Sequence, residues 1–341
     1  MTFRAAVIVL ATLLFFPWAW PSAQPAEKTL DVYFIDVEGG HATLYVAPSG
    51  QSMLVDTGWA GFEGRDAARI VAAATRAGVK QIDYLVTTHY HTDHVGGVTQ
   101  LAARLPIRNF VDHGPTSEPG ERAAPYQTYV QVRQKGSHLE VKPGDQIPVA
   151  GLNVRVVSAG GSLLSVPLDG GGGPNPLCGA FKPMKDETSE DAHSVGTLVT
   201  FGAFRLINLG DLSWNQEYGL VCPTNRVGEV DVLLTSQHGD DEAGSATFVH
   251  AIRPQVAIMN NGPRKAVIGP IIQTLRASPG IEDLWQLHYS LLGNRENVAD
   301  EFIANIGEVD SGQWLKLSAR ADGSFTITNA RTGSTKPYVA R

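Results

Sequence analysis

Residues 87–97 read Thr-Thr-His-Tyr-His-Thr-Asp-His-Val-Gly-Gly, which puts four metal-ligating side chains, His89, His91, Asp93 and His94, within six positions. The run before them, Ile82-Asp83-Tyr84-Leu85-Val86-Thr87, is apolar and β-branched and reads as a buried strand. The run after them, residues 95–104, reads as the start of a helix. The ligand-type residues therefore sit in a loop at the C-terminal end of a strand, where α/β folds place their chemistry. Alternate side chains of such a loop can serve different targets, His89 and His91 one metal, Asp93 and His94 another. Imidazole and carboxylate donors together suit zinc first, then iron or manganese.

The spacing H-x-H-x-D-H resembles the signature of the metallo-β-lactamase superfamily, and three later stretches repeat its logic of an apolar strand followed by a ligand. Asp191-Ala192-His193-Ser194-Val195-Gly196 precedes a strand at residues 197–201. Residues 204–209 form a strand ending in Gly210-Asp211-Leu212, and residues 230–235 form one ending in Ser236-Gln237-His238-Gly239. The resemblance implies an α/β fold of the αββα sandwich type, with two divalent metal ions. His89, His91 and His193 would hold one ion. Asp93, His94 and His238 would hold the other, Asp211 would bridge, and Asp93 and Asp211 would be the catalytic carboxylates. Zinc is the expected metal, with manganese and iron as alternatives. Asp191 competes with His193 for the first ion. Asp56, in Leu54-Val55-Asp56-Thr57-Gly58, stands where the family keeps a carboxylate that braces the ligand loop. The closest resemblance is to the hydrolase domain of ComEC-type DNA-uptake proteins and their free-standing exported relatives. This chain departs from that subgroup at Gln237, where a second His is usual, and at Asp240, where a Ser is usual.

Around these motifs the chain reads as one compact domain over residues 27–335. Residues 29–37, 42–47 and 52–55 form an antiparallel meander, residues 64–77 a helix ended by Gly78, and residues 107–111 a strand. Helices are expected at residues 125–135 and 269–277. Strands are expected at 139–141, 152–157, 255–259 and 284–290, with a final hairpin at 314–317 and 324–328 turning on Asp322-Gly323. Residues 159–191 hold Gly170-Gly171-Gly172-Gly173-Pro174 and little periodicity, and read as a long surface loop, a lid or substrate rim. His113, Asn261, His288 and Tyr289 end strands and are candidates for substrate contact. The competing reading makes each a structural strand-end residue.

Arg4 is the only charge before Glu27, and residues 5–20 are an apolar run followed by Pro21-Ser22-Ala23. This pattern fits a secretory signal peptide at residues 1–23, with an uncleaved anchor as the alternative, and implies a secreted or periplasmic protein. No later run is long and apolar enough to span a membrane. Cys178 and Cys222 are the only cysteines, so an oxidising compartment allows one disulfide; two separate thiols are the alternative. The formal net charge is −7 with 18% charged residues, which disfavours nucleic-acid tracking without excluding a local basic patch.

The function expected is that of an exported metal-dependent hydrolase, in which a metal-activated water attacks a phosphodiester or another small-molecule substrate. A β-lactamase or lactonase is the alternative within enzymes. A binding protein that keeps the fold without catalysis is the alternative outside them, and the near-complete ligand set argues against it.

Overall fold

Period-two alternation settles which way each strand faces. In Leu30–Phe34 the side chains of Val32 and Phe34 point into one buried cluster and Tyr33 into another. In Ser52–Val55, Met53 and Val55 likewise share the first cluster while Leu54 joins the second. A strand with two apolar faces must be covered on both sides, so the sheet lies between two layers. The structure, a computed structural model, describes residues 1–3, 5, 28–185, 188–267, 269–292, 296–307 and 311–341. The expected signal peptide lies almost wholly outside the described residues.

Two sheets face each other. The first runs in the order Thr335–Tyr338, Phe325–Asn329, Leu315–Ala319, Leu30–Phe34, Thr43–Val46, Ser52–Val55, Ile82–Val86, Ile107–Asp112, Ser137–Glu140. It is antiparallel through the meander and becomes parallel from Ser52–Val55 onward. The second runs Ile303–Asn305, Asp283–His288, Val256–Met259, Val232–Leu234, Phe204–Asn208, Gly196–Phe201, Asn153–Ala159, Gln146–Ile147, with Ser162–Leu163 paired to Asn153–Ala159. The part from Phe204–Asn208 to the edge strand Ile303–Asn305 is parallel.

Between the sheets, Val32, Phe34, Met53, Val55 and Val86 meet Val154, Val156, Leu206, Val232, Leu234 and Ile258. Outside the first sheet, Ala67, Ile70, Ala73 and Ala74 of the helix Arg65–Arg76 cover Leu44, Leu54, Ile82 and Leu85. Outside the second, the helices Trp214–Val221, Ala246–Ile252 and Gly269–Arg276 cover Ile207, Leu233 and Ala257. The architecture is the αββα sandwich. Truncating a central residue such as Leu206 to Ala would cost about 2–5 kcal/mol.

Several parts differ from the sequence reading. The helix expected after the ligand loop is two short ones, Thr92–Val95 and Val98–Ala102. The break falls at Gly96-Gly97, where a Cβ on Gly97 would lie 2.1 Å from the Thr57 carbonyl oxygen, so the chain is pinned against the Asp56 turn. The helices Trp214–Val221 and Ala246–Ile252 follow strand-end loops and were not expected. Thr335–Tyr338 adds an outer strand beyond the final hairpin. Residues 159–191 are largely irregular, as expected, but anchored. Cys178 and Cys222 form a disulfide, Phe181 stacks on Tyr218 at 4.0 Å between ring centroids, and Trp214 Nε1 donates to Lys182 O at 2.9 Å. Among the described residues no helix is long and apolar enough to cross a membrane.

Candidate metal centre

Parallel strands deliver their C-terminal ends to one rim. The loop 87–94 leaves Ile82–Val86, Asp211 follows Phe204–Asn208, and His238 follows Val232–Leu234. Gln237 and His238 both adopt left-handed backbone, φ 50° and 55°, which turns the His238 ring back toward the rim. The rim gathers Asp93, His94, Asp211 and His238 into one donor group and His89, His91 and Asp191 into a second.

The spacing inside these groups tests whether they fit a metal. Donors bound tetrahedrally at about 2.0–2.1 Å lie about 3.3 Å apart. His238 Nε2 is 3.2 Å from Asp211 Oδ2 and 3.3 Å from Asp93 Oδ2. His94 Nε2 is 3.3 Å from Asp211 Oδ2, 3.5 Å from Asp93 Oδ2 and 3.3 Å from His238 Nε2. In the other group, Asp191 Oδ1 is 3.3 Å from His89 Nε2 and 2.9 Å from His91 Nδ1, and the two ring nitrogens are 3.1 Å apart. Both donor sets fit a divalent cation of the zinc type by chemistry and by spacing. Asp211 belongs to the group with Asp93, His94 and His238, and its charge is also felt by His89 and Asp191 of the other group.

The opposite edge of three rings is held so that a bound cation would meet the nitrogen without a proton. Asp56 Oδ2 accepts from His94 Nδ1 at 2.8 Å, from His41 Nδ1 at 2.7 Å and from Thr88 Oγ1 at 2.7 Å, while Oδ1 accepts from Thr88 N at 2.8 Å. With its own proton spent on Asp56, Thr88 Oγ1 accepts from His89 Nδ1 at 3.1 Å. Asn260 Nδ2 lies 3.1 Å from His238 Nδ1 while the buried Asn260 Oδ1 has no partner, so exchanging the two ends of the amide lets Oδ1 accept the His238 Nδ1 proton. Burial opposes charge on Asp56, Asp93 and Asp211. The adjacent imidazoles outweigh it and hold all three below the usual carboxylate range. Burial, reinforced by His94, pushes His89 down toward its neutral, ligating form.

His193 does not enter either donor group. Glu190–His193 is a single 3-10 turn in which Asp191 points at His89 and His91, while His193 Nδ1 donates to Ser189 O at 2.9 Å. His113 also stands apart. Its Nε2 is 3.1 Å from Glu190 Oε2, and Glu190 further accepts from Thr116 Oγ1 and Ser117 N, both at 2.5 Å. Burial alone would raise Glu190. Those hydrogen bonds and His113 bring it down to about 2, so Glu190 braces the 190–193 turn as an anion. Asn261 is fully buried and spends its amide on His288 O and Gly262 O. His288 lies with Asp36 and Glu38 in a separate group, its Nε2 3.7 and 3.4 Å from their carboxylates. Tyr289 is half-buried and its backbone N–H bonds Asn305 O at 2.7 Å.

The sequence reading did not single out His41, Asn260, Glu190 or Lys265. The Lys265 ammonium contacts Asp93 Oδ2 and lies 5.5 Å from the Trp59 ring centre. Of these, only His41, placed between two glycines and a strand, carried a signal a reader could have weighed.

Residues 35–201 match the model of the metallo-beta-lactamase superfamily, and the chain carries a domain of that superfamily. ComE operon protein 3 of Bacillus subtilis (strain 168) is a homologue, 24% identical over 271 residues that make up 74% of this chain and 31% of that protein. Hydroxyacylglutathione hydrolase of Rhodopseudomonas palustris (strain HaA2) is 31% identical over 105 residues, 31% of this chain and 35% of that one. Ribonuclease Z of Methanopyrus kandleri is 30% identical over 119 residues, 34% of this chain and 38% of that one. The chain thus spans about a third of the length of each of these relatives.

Proposed function

We propose that the protein is an exported metal-dependent hydrolase acting on phosphodiester bonds. The observation that carries the reading is the pair of donor groups at one rim, with Asp211 in one of them and its charge felt by the other. Divalent cations held there supply Lewis acidity and lower the pKa of water toward neutrality. The chain's own residues do the rest. His89, His91 and Asp191 hold one side, and Asp93, His94 and His238 hold the other. Asp211 orients the attacking water, and Asp56 and Asn260 fix the rings. The phosphodiester preference is supported by the motif resemblance to the hydrolase domain of DNA-uptake proteins and by the likeness to a ribonuclease over 34% of the chain. Export is supported by the apolar N-terminal run and by the Cys178–Cys222 disulfide, which an oxidising compartment sustains.

The test is a panel of chromogenic substrates on the metal-loaded protein: bis(p-nitrophenyl) phosphate, a lactone and a cephalosporin. The diester should be turned over with the highest kcat/KM, and chelation should abolish the turnover. Cephalosporin or lactone cleavage without diester cleavage would overturn the substrate class. No turnover of any of the three would favour the binding-protein alternative.

A further inference from the structure

Lys265 reaches the metal centre from a loop far from the ligand motifs, and the loop is bent to bring it there. Ala266 and Val267, directly after it, both adopt left-handed backbone, φ 66° and 62°. For a β-branched residue such as Val267 that conformation is a genuine outlier. Neither residue is a surface accident, since they are 1% and 0% exposed. Val267 N donates to Gly239 O at 3.0 Å, tying the bend to the residue after His238. Gly262 N donates to Lys265 O at 3.2 Å, closing the other side. The loop is thus anchored on both flanks of Lys265, and the side chain, 36% exposed, emerges at the mouth of the centre.

Among the described residues, Lys265 is the only Lys or Arg paired with one of the donors of the two groups. An ammonium carries three N–H donors in a compact charge. One is directed at Asp93 Oδ2, and the partly exposed head leaves others for an acceptor arriving from solvent. A simple ion pair with Asp93 would not require two consecutive strained residues.

We propose that Lys265 is the anion subsite of this centre. It binds a non-bridging phosphoryl oxygen of the substrate on the side of Asp93, His94 and His238, and so favours substrates that carry a fixed negative charge next to the scissile bond. This deepens the phosphodiester reading and rests on it. Trp59, whose ring lies beneath the ammonium, holds the side chain over the opening through a cation–π contact.

The test uses inorganic phosphate as the probe, by calorimetry on metal-loaded wild type, Lys265→Gln and Lys265→Arg, with metal content measured on each. Loss of one charge-assisted hydrogen bond weakens binding by about tenfold to a hundredfold. Lys265→Gln should show that loss with its metal content unchanged, and Lys265→Arg should stay within a few-fold of wild type. In kinetics, Lys265→Gln should raise KM for bis(p-nitrophenyl) phosphate by more than it lowers kcat. Equal phosphate affinity in wild type and Lys265→Gln would overturn the proposal. So would undetectable phosphate binding in wild type, or a loss of metal from Lys265→Gln, which would make the lysine a brace for Asp93. The calorimetric result stands apart from turnover, so a protein that cleaves no diester still reports on Lys265.

Discussion

Asp56→Asn isolates one charge at the back of the metal centre. Asp56 is fully buried with φ 60°, a left-handed conformation that Asn tolerates well, so the backbone contributes little to the outcome. Its two oxygens accept four hydrogen bonds of 2.7–2.8 Å, two from Thr88 and one each from His41 and His94. An Asn amide in the same place cannot accept at its nitrogen. Oriented to keep Thr88 N, it aims its NH2 at His41 Nδ1 and His94 Nδ1. His41 can escape by changing tautomer, because Thr43 Oγ1, 3.1 Å from its Nε2, accepts the displaced proton. His94 can make the same change only by protonating Nε2, the nitrogen that faces Asp93, Asp211 and His238. The variant therefore keeps the fold and loses metal affinity. Loss of a partner behind a ligating His costs about 10–100-fold in affinity, and the folded state should lose roughly 2–4 kcal/mol. Zinc titration by calorimetry on chelator-stripped protein, paired with urea denaturation of the same samples, reads both effects. Asp56→Asn protein that binds two zinc equivalents as tightly as wild type would refute the reasoning.

Two further outcomes follow from neighbouring contacts. Asp191→Ala should leave about one metal equivalent against about two for the parent, while His193→Ala should keep two, because the His193 ring is turned to Ser189 O; metal analysis that reversed this order would restore His193 as the ligand. Glu217 is fully buried, and burial pushes its pKa up to about 8 from an ordinary 4.5 against the hydrogen bonds from Ser236, Gly244 and Ser245. The folded state therefore keeps that proton while the unfolded chain loses it, so the group's contribution is complete below pH 4.5 and fades as pH rises toward 8. Glu217→Gln, whose amide can donate to the rotatable Ser236 hydroxyl, should flatten the fall of Tm between about pH 5 and 9; parallel profiles for the two proteins would contradict this.

Much of the site was legible because its ligands follow buried strands, and a buried strand is a strong signal. Val86, Leu209 and Leu234 are apolar, and the polar residue that breaks each run marks the rim. The sequence reading placed His193 with the first donor group because it matches the family's residue type. What decides the matter is a 3-10 turn in which residues two apart face different ways, a geometry that residue types do not express. Asn260 was overlooked because a neutral amide after a strand looks like any turn residue. Lys265 was hidden by the backbone of Ala266 and Val267, since neither residue advertises a left-handed bend. The helices Trp214–Val221 and Ala246–Ile252 are short and begin within a few residues of the Asp211 and His238 loops, so their apolar positions read as loop.

The central claim is a two-metal centre bridged by Asp211, and anomalous diffraction from crystals of metal-loaded protein tests it most directly. Data collected at the absorption edge of the bound metal should show two peaks. One should lie among His89, His91 and Asp191, the other among Asp93, His94 and His238, with the Asp211 carboxylate between them. The absence of any peak at the rim, or a single peak with Asp211 turned away from it, would contradict the account.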